Sequence, residues 1–205
     1  IQNTQINVVF AHHSIAESTE PITQALTLLN EVPETKFLPL VKRANTIGAL
    51  LMGMAPGQLP GQISLHDPSK TGLTGWPNLP EHEGKTTDQI LESAANEEID
   101  VLFLLGADPL SDYRNPELAK RALEKTQTVI AVDLFVNPSV YQSDIIFPAA
   151  AFIESNGSHT NVEGRITPIR QKVTSPGTSR PDWMIAAEIA WRLDKDLEMK
   201  IRKMY

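Results

Sequence analysis

The chain has 205 residues, 41% of them hydrophobic and 21% charged, which suits one α/β domain with a sizeable core, or two small ones, and argues against disorder. Its net charge of -7 argues against a general nucleic-acid binder, and no apolar run approaches the ~18 residues of a membrane span. The absence of cysteine excludes disulfides, thiolate nucleophiles and thiolate-held zinc or iron–sulfur sites.

The N-terminal stretch has neither the basic region nor the cleavage site of a signal peptide. It opens without Met directly before a strand pattern, so a portion of a longer protein is expected, with processing as the alternative origin of such a start. Ile6 to His12 reads as a short buried strand, apolar and β-branched. A helix follows, with Thr19 placed to cap it, Pro21 in its first turn and Ile22, Ala25, Leu26 and Leu29 on one face. "KFLPLV" predicts a second short strand, weakened by Pro39. "ANTIGALLMGM" fits either a short helix or a buried turn.

Pro56 to Lys85 is rich in proline and glycine and reads as a long excursion without ladder or helix, lying across the core at its few apolar residues. Order resumes at Thr86, whose spacing to Gln89 fits a capping box, with Ile90, Leu91, Ala94 and Ala95 as the apolar stripe. "VLFLL" reads as a fully buried strand. Asn115–Pro116 starts a helix with Leu118, Ala119, Ala122 and Leu123 inward. "TVIAVD" and "DIIFP" are further strands. A last helix follows Pro181, with Ile185, Ile189 and Leu193 recurring every four residues and Trp183 and Trp191 expected in the core. The alternation of strands and helices predicts an α/β fold, with a parallel, Rossmann-like sheet between helices in three αβα layers. One domain over residues 1–205 is expected, with the excursion at 56–85.

In open parallel sheets, ligands bind beyond the carboxyl ends of the strands. Gly106-Ala107-Asp108-Pro109 follows "VLFLL", and Asp133 ends "TVIAVD". A carboxylate at the latter place suits ribose hydroxyls. Equally, Gly106 only permits a turn and Asp133 only caps a loop. No G-x-G-x-x-G follows a strand and no Walker-type lysine appears, which argues against a standard NAD site. His12 and His13 would point to opposite faces of a strand, and His66, His82 and His159 fall in loops, so structural or solvent roles are expected of all five. Ser158 and His159 are adjacent, a poor arrangement for nucleophile and base. The polar stretch Glu154 to Arg165 has the composition of a gripping loop. Without a ligand such a loop must satisfy its own donors, so the Arg165 guanidinium is expected to be tied to groups of its own domain.

"NTIGALLMGMAPGQLPG", "LLGADPL", "SDIIFPAAAFIESNGSHTNVEGR" and "RPDWMIAAEIAWRL" occur here in an order that resembles the molybdopterin-dependent oxidoreductases, such as formate dehydrogenases. The resemblance is strongest to the branch that supplies the G subunit of bacterial NADH-quinone oxidoreductase, respiratory complex I. It implies the later part of a formate dehydrogenase/DMSO reductase-like module. In cofactor-bearing members, a molybdopterin guanine dinucleotide would be met by residues matching Asn45, Gly106, Asp108, Pro109, Asp133, Thr160, Asn161 and Arg165. In the complex I branch the resemblance implies the same fold without that cofactor, as a scaffold with no catalytic residue. The iron–sulfur cysteines and the molybdenum ligand lie upstream in the family, so no metal or cofactor is expected in this chain. Asp108 stands where many relatives carry Asn, and a carboxylate there would meet phosphate charge at an electrostatic cost. The implied partners are the remainder of the same polypeptide and the peripheral-arm subunits of complex I, without nucleic acid or direct membrane insertion. The implied place is cytoplasmic, at the inner face of the cell membrane. The alternative is the nucleotide-holding portion of an active molybdenum or tungsten enzyme.

Overall fold

The computed structural model describes residues 6–11, 19–41, 43–67 and 79–193. By its internal contacts the chain divides into two compact units. The first comprises residues 1–91, 113–115 and 158–167; the second comprises 92–112, 116–157 and 168–205.

In the first unit, β1 (Asn7–Ala11), α1 (Thr19–Asn30) and β2 (Lys36–Leu40) form a βαβ element whose two strands are parallel, Val8 opposite Phe37 and Phe10 opposite Pro39. Among the described residues β2 pairs with β1 alone, so the missing N–H of Pro39 is tolerated. β1 is not the buried strand its composition suggests: Val8 and Phe10 are half-buried while Val9 is exposed. Alternation is what a two-stranded sheet with one covered face produces. On α1, Ile22, Leu26 and Leu29 are half-buried and Ala25 is exposed. His12 and His13 lie outside the described residues.

"ANTIGALL" resolves as a helix, α2 (Thr46–Leu51). The excursion departs from expectation, because Gln58–Leu59 (β3) and Ile63–Ser64 (β4) pair antiparallel around a turn at Pro60–Gln62. Leu59 and Leu65 are buried, so this part of the excursion is anchored by apolar side chains. Leu73 and Trp76 lie outside the described residues. Glu83 Oε1 lies 2.8 Å from His66 Nε2. The capping box forms at the start of α3 (Thr87–Ala95), with Thr86 N–H donating to Gln89 Oε1 at 2.8 Å and Gln89 N–H to Thr86 Oγ1 at 3.3 Å. Leu91 and Ala94 are buried as its stripe requires.

The second unit holds a three-stranded parallel sheet in the order β5 (Val101–Leu105), β6 (Thr128–Asp133), β7 (Ile145–Pro148). The register runs Phe103–Ile130–Ile145 across the sheet. A short helix α4 (Pro109–Asp112) precedes α5 (Pro116–Lys125), which crosses from β5 to β6 and buries Ala119, Ala122 and Leu123. α6 (Pro138–Tyr141) makes the second crossing. β5 is half buried rather than fully: Leu102 and Leu104 are enclosed, while Val101, Phe103 and Leu105 are exposed. On that same face, Val132 and Ala149 are sealed by Ile185, with Phe147 and Ile189 packed beside them. Ile185 and Ile189 belong to α7 (Asp182–Leu193). Trp183 and Trp191 are 47% and 50% exposed, so neither is a core residue. The stretch read as a polar loop, whose residues 158–167 belong to the first unit, instead forms a hairpin of β8 (Gly157–Thr160) and β9 (Ile166–Ile169). Strands in parallel sheets with flanking helices make this a mixed α/β protein, as the sequence pattern implies.

Candidate functional site

The strand ends of the second unit bring together Gly106, Asp108, Pro109 and Asp133. Gly106 leaves β5 at φ +57°, a left-handed conformation that favours glycine, and its N–H donates to Val132 O at 2.9 Å. A Cβ on Gly106 would meet nothing within 4 Å, so space lies open beside this turn. Pro109 is the first residue of α4, where its fixed φ suits the helix and its missing N–H costs nothing.

The Asp108 carboxylate turns toward protein. Its Oδ1 accepts from Ser139 N–H at 3.2 Å and from the Ser139 hydroxyl. Ser139 is fully buried, and its Oγ accepts from Leu110 N–H at 3.1 Å. Burial pushes the Asp108 carboxyl up, but bonds from the Ser111 and Ser139 hydroxyls and amides outweigh it and hold the group below the usual carboxylate range. The sequence before Ser139 carries a local signal for the helix that positions it. Asn137–Pro138 is a cap residue followed by proline, and Asn137 Oδ1 accepts from Val140 N–H at 2.9 Å to start α6.

Asp133 is engaged in the same loop. Its Oδ1 accepts from Leu134 N–H at 2.6 Å and from Phe135 N–H at 3.4 Å, and its Oδ2 accepts from Asn137 Nδ2 at 2.8 Å. A polar chain therefore runs from Asp133 through Asn137 to α6, and from Ser139 back to Asp108. Asp182 stands near one end of this chain. Burial of its carboxyl first, and then the charge of Asp133, raise it above the usual range, although the residue as a whole is exposed.

The first unit gathers Asn45, Thr160, Asn161 and Arg165. Asn45 precedes α2 without capping it; its Oδ1 instead accepts from Thr160 N–H at 2.9 Å, across 115 positions of sequence. Thr160 is buried there. The Asn45 side chain lies over Gly48, where a Cβ would come within 2.1 Å of Asn45 Oδ1. The hairpin tip is built by Asn161, whose Oδ1 accepts from Glu163 N–H at 3.0 Å and Arg165 N–H at 2.9 Å. The Arg165 side chain is 76% exposed, with Glu163 Oε2 at 3.7 Å from its Nη2, so the guanidinium is not tied down as expected. Among the described residues no buried side-chain nitrogen or oxygen lacks a hydrogen-bond partner.

Full satisfaction of the buried polar atoms bears on the pterin dinucleotide. A vacant polar site leaves buried donors or acceptors waiting. Here the acids of the second unit are bonded to their own loop, and Asn45 is bonded to Thr160. As arranged, Asp108, Asp133 and Asn45 do not fit the group as preformed contacts, whereas the open space beside Gly106 and the exposed, untied guanidinium of Arg165 favour it.

A family model described as molybdopterin oxidoreductase matches residues 4–192. The chain belongs to the molybdopterin oxidoreductase family. It is 33% identical over 158 residues to the NADPH-Fe(3+) oxidoreductase subunit alpha of Geobacter sulfurreducens, covering 77% of this chain and 18% of that protein. It is 35% identical over 153 residues to the G 2 subunit of NADH-quinone oxidoreductase from Rhizobium meliloti, covering 73% and 18%. It is 29% identical over 163 residues to an F420-dependent formate dehydrogenase subunit alpha of Methanococcus maripaludis, covering 78% and 24%. The chain thus spans about a fifth of the length of the curated relatives it matches. Among the described residues no helix is long and apolar enough to cross a membrane.

Proposed function

We propose that this chain is the structural α/β portion of a protein like the G subunit of NADH-quinone oxidoreductase, in a complex that passes electrons from NADH through iron–sulfur clusters to quinone. On this reading residues 1–205 are one part of a larger discontinuous module and carry neither catalytic residue nor pterin. The clusters belong to cysteine-bearing polypeptide elsewhere in the same protein, because this sequence has no thiolate to offer. The contacts are with the remainder of that polypeptide and with neighbouring proteins of the peripheral arm, at the cytoplasmic face of the membrane.

The observation that carries the reading is the network from Asp133 through Asn137 and Ser139 to Asp108. Asp108 and Asp133, which would meet a nucleotide, are bonded within their own domain, so the strand ends hold helices in place instead of waiting for a ligand. The 35% identical NADH-quinone oxidoreductase relative supports the same assignment. The second reading, a nucleotide-holding portion of an active molybdenum or tungsten oxidoreductase, is favoured by the open space at Gly106, by the exposed Arg165 guanidinium and by the formate dehydrogenase relative.

Titration with GMP, the guanine end of the dinucleotide, followed by thermal unfolding, separates the two. A ligand at 100 times its Kd adds ~2.7 kcal/mol, or roughly 5–10 °C for a domain of this size. The scaffold reading expects no shift. A shift of that size that disappears in Asp133→Ala would overturn it.

A further inference from the structure

We infer that Asn156–Gly157 is a site of spontaneous modification, at which the folded chain converts Asn156 to aspartate and isoaspartate. The reaction needs a main-chain nitrogen that can swing onto the side-chain amide of the residue before it. Gly157 supplies one without the steric hindrance of a Cβ. Every other asparagine in the sequence is followed by a residue that carries a side chain, or by proline, which has no N–H.

Three features of the fold leave the step open. Asn156 and Gly157 are both exposed, at the entry to β8. Nothing stands within 4 Å of where a Cβ on Gly157 would be, so the main chain has room on that side of Gly157. Asn156 Oδ1 accepts from Gln171 N–H at 3.1 Å. That bond polarises the amide carbonyl toward attack and stabilises the negative charge that gathers on Oδ1 as the bond forms, in the manner of an oxyanion donor.

The Gly157 nitrogen bonds to Cγ of Asn156 and loses its proton to solvent, the bond from Cγ to Nδ2 breaks, and the departing amide nitrogen takes up one proton and leaves as ammonia. The product is a five-membered succinimide. Water then adds to one of its two carbonyls. Opening at the main-chain carbonyl gives isoaspartate, and opening at the side-chain carbonyl gives aspartate. The net change is loss of ammonia and gain of water, with no oxidant or reductant. Both products place a new carboxylate on a cavity of ≈ 580 Å³ that Asn156 lines together with Glu154, Gln171, Arg180 and Trp183. Isoaspartate also lengthens the main chain by a methylene at the residue that enters β8.

The purified chain is incubated at neutral pH and physiological temperature and sampled by peptide mapping with isoaspartyl methyltransferase labelling. The modified fraction at Asn156 should grow ahead of that at every other asparagine. Gly157→Ala, which the open space accommodates, should slow it at least about tenfold, equivalent to ~1.4 kcal/mol of barrier. The inference is overturned by equal rates at Asn156 and Asn161, by an unchanged rate in Gly157→Ala, or by a native rate more than about tenfold below that of the urea-unfolded chain, since the fold would then protect the site.

Discussion

Replacing Ser139 with alanine removes the hydroxyl at the centre of the strand-end network. Two bonds go with it: the one Leu110 N–H donates to Ser139 Oγ at 3.1 Å, and the one the hydroxyl donates to Asp108. Ser139 is fully buried, so no water replaces the lost oxygen at Leu110. An unsatisfied buried amide costs about 1–3 kcal/mol. Asp108 keeps Ser139 N–H and the Ser111 groups, so its own loss is smaller. About 2 kcal/mol in total corresponds to a fall of roughly 4–8 °C in Tm for a chain of this length. The assay is thermal unfolding by circular dichroism across pH. The folded-state pKa of Asp108 lies below its unfolded value, so its bonds stabilise the fold above the unfolded pKa, and that stability is lost as pH falls through the folded value. The gap between the native chain and Ser139→Ala should therefore narrow below about pH 4, where carboxylates take up protons. Asp108→Asn retains an acceptor for Ser139 and should cost less than the serine change. A Tm for Ser139→Ala within a degree of the native value would refute the network.

Asp182→Asn removes a carboxyl whose folded pKa is raised. Such a group weakens the fold above its unfolded pKa, so the variant should gain up to about 1 kcal/mol at neutral pH, and the gain should vanish in acid; a loss at neutral pH would contradict the cost of its burial and of the charge of Asp133. Gly48→Ala forces a Cβ onto Asn45 Oδ1 and should break the bond to Thr160, costing about 1–3 kcal/mol and speeding hydrogen exchange at the Thr160 amide. Arg165→Ala should change stability by less than about 0.5 kcal/mol in urea unfolding, because its ion pair with Glu163 is long and exposed.

The elements legible in the sequence are those whose pattern is local. The capping box at Thr86–Gln89 and the proline at the start of α5 each depend on neighbours within one turn, and both are present in the fold. The parallel pairing of β5, β6 and β7 follows from the alternation of strands and helices. Where sequence and structure differ, long-range cover decides. "VLFLL" is apolar throughout, yet only its even-numbered residues are enclosed, because α7 covers the β7 side of the opposite face and leaves Val101, Phe103 and Leu105 outside. The two tryptophans of α7 are large and apolar, but composition does not say which side of a helix meets the sheet. At the strand ends, Gly106 and Asp133 are visible by position, whereas Ser139 is not. Its role depends on a bond to Asp108 from 31 residues away. The composition around Arg165 suggests a residue tied down by its own domain; its backbone is, and its guanidinium is not.

On the proposed reading, this portion of the molybdopterin oxidoreductase fold is a scaffold without the pterin. The direct measurement is the molybdenum, tungsten and released-pterin content of the full polypeptide that contains this chain, purified with its iron–sulfur clusters intact. The expected result is iron without molybdenum, tungsten or pterin. Pterin and either metal in stoichiometric amounts would contradict it.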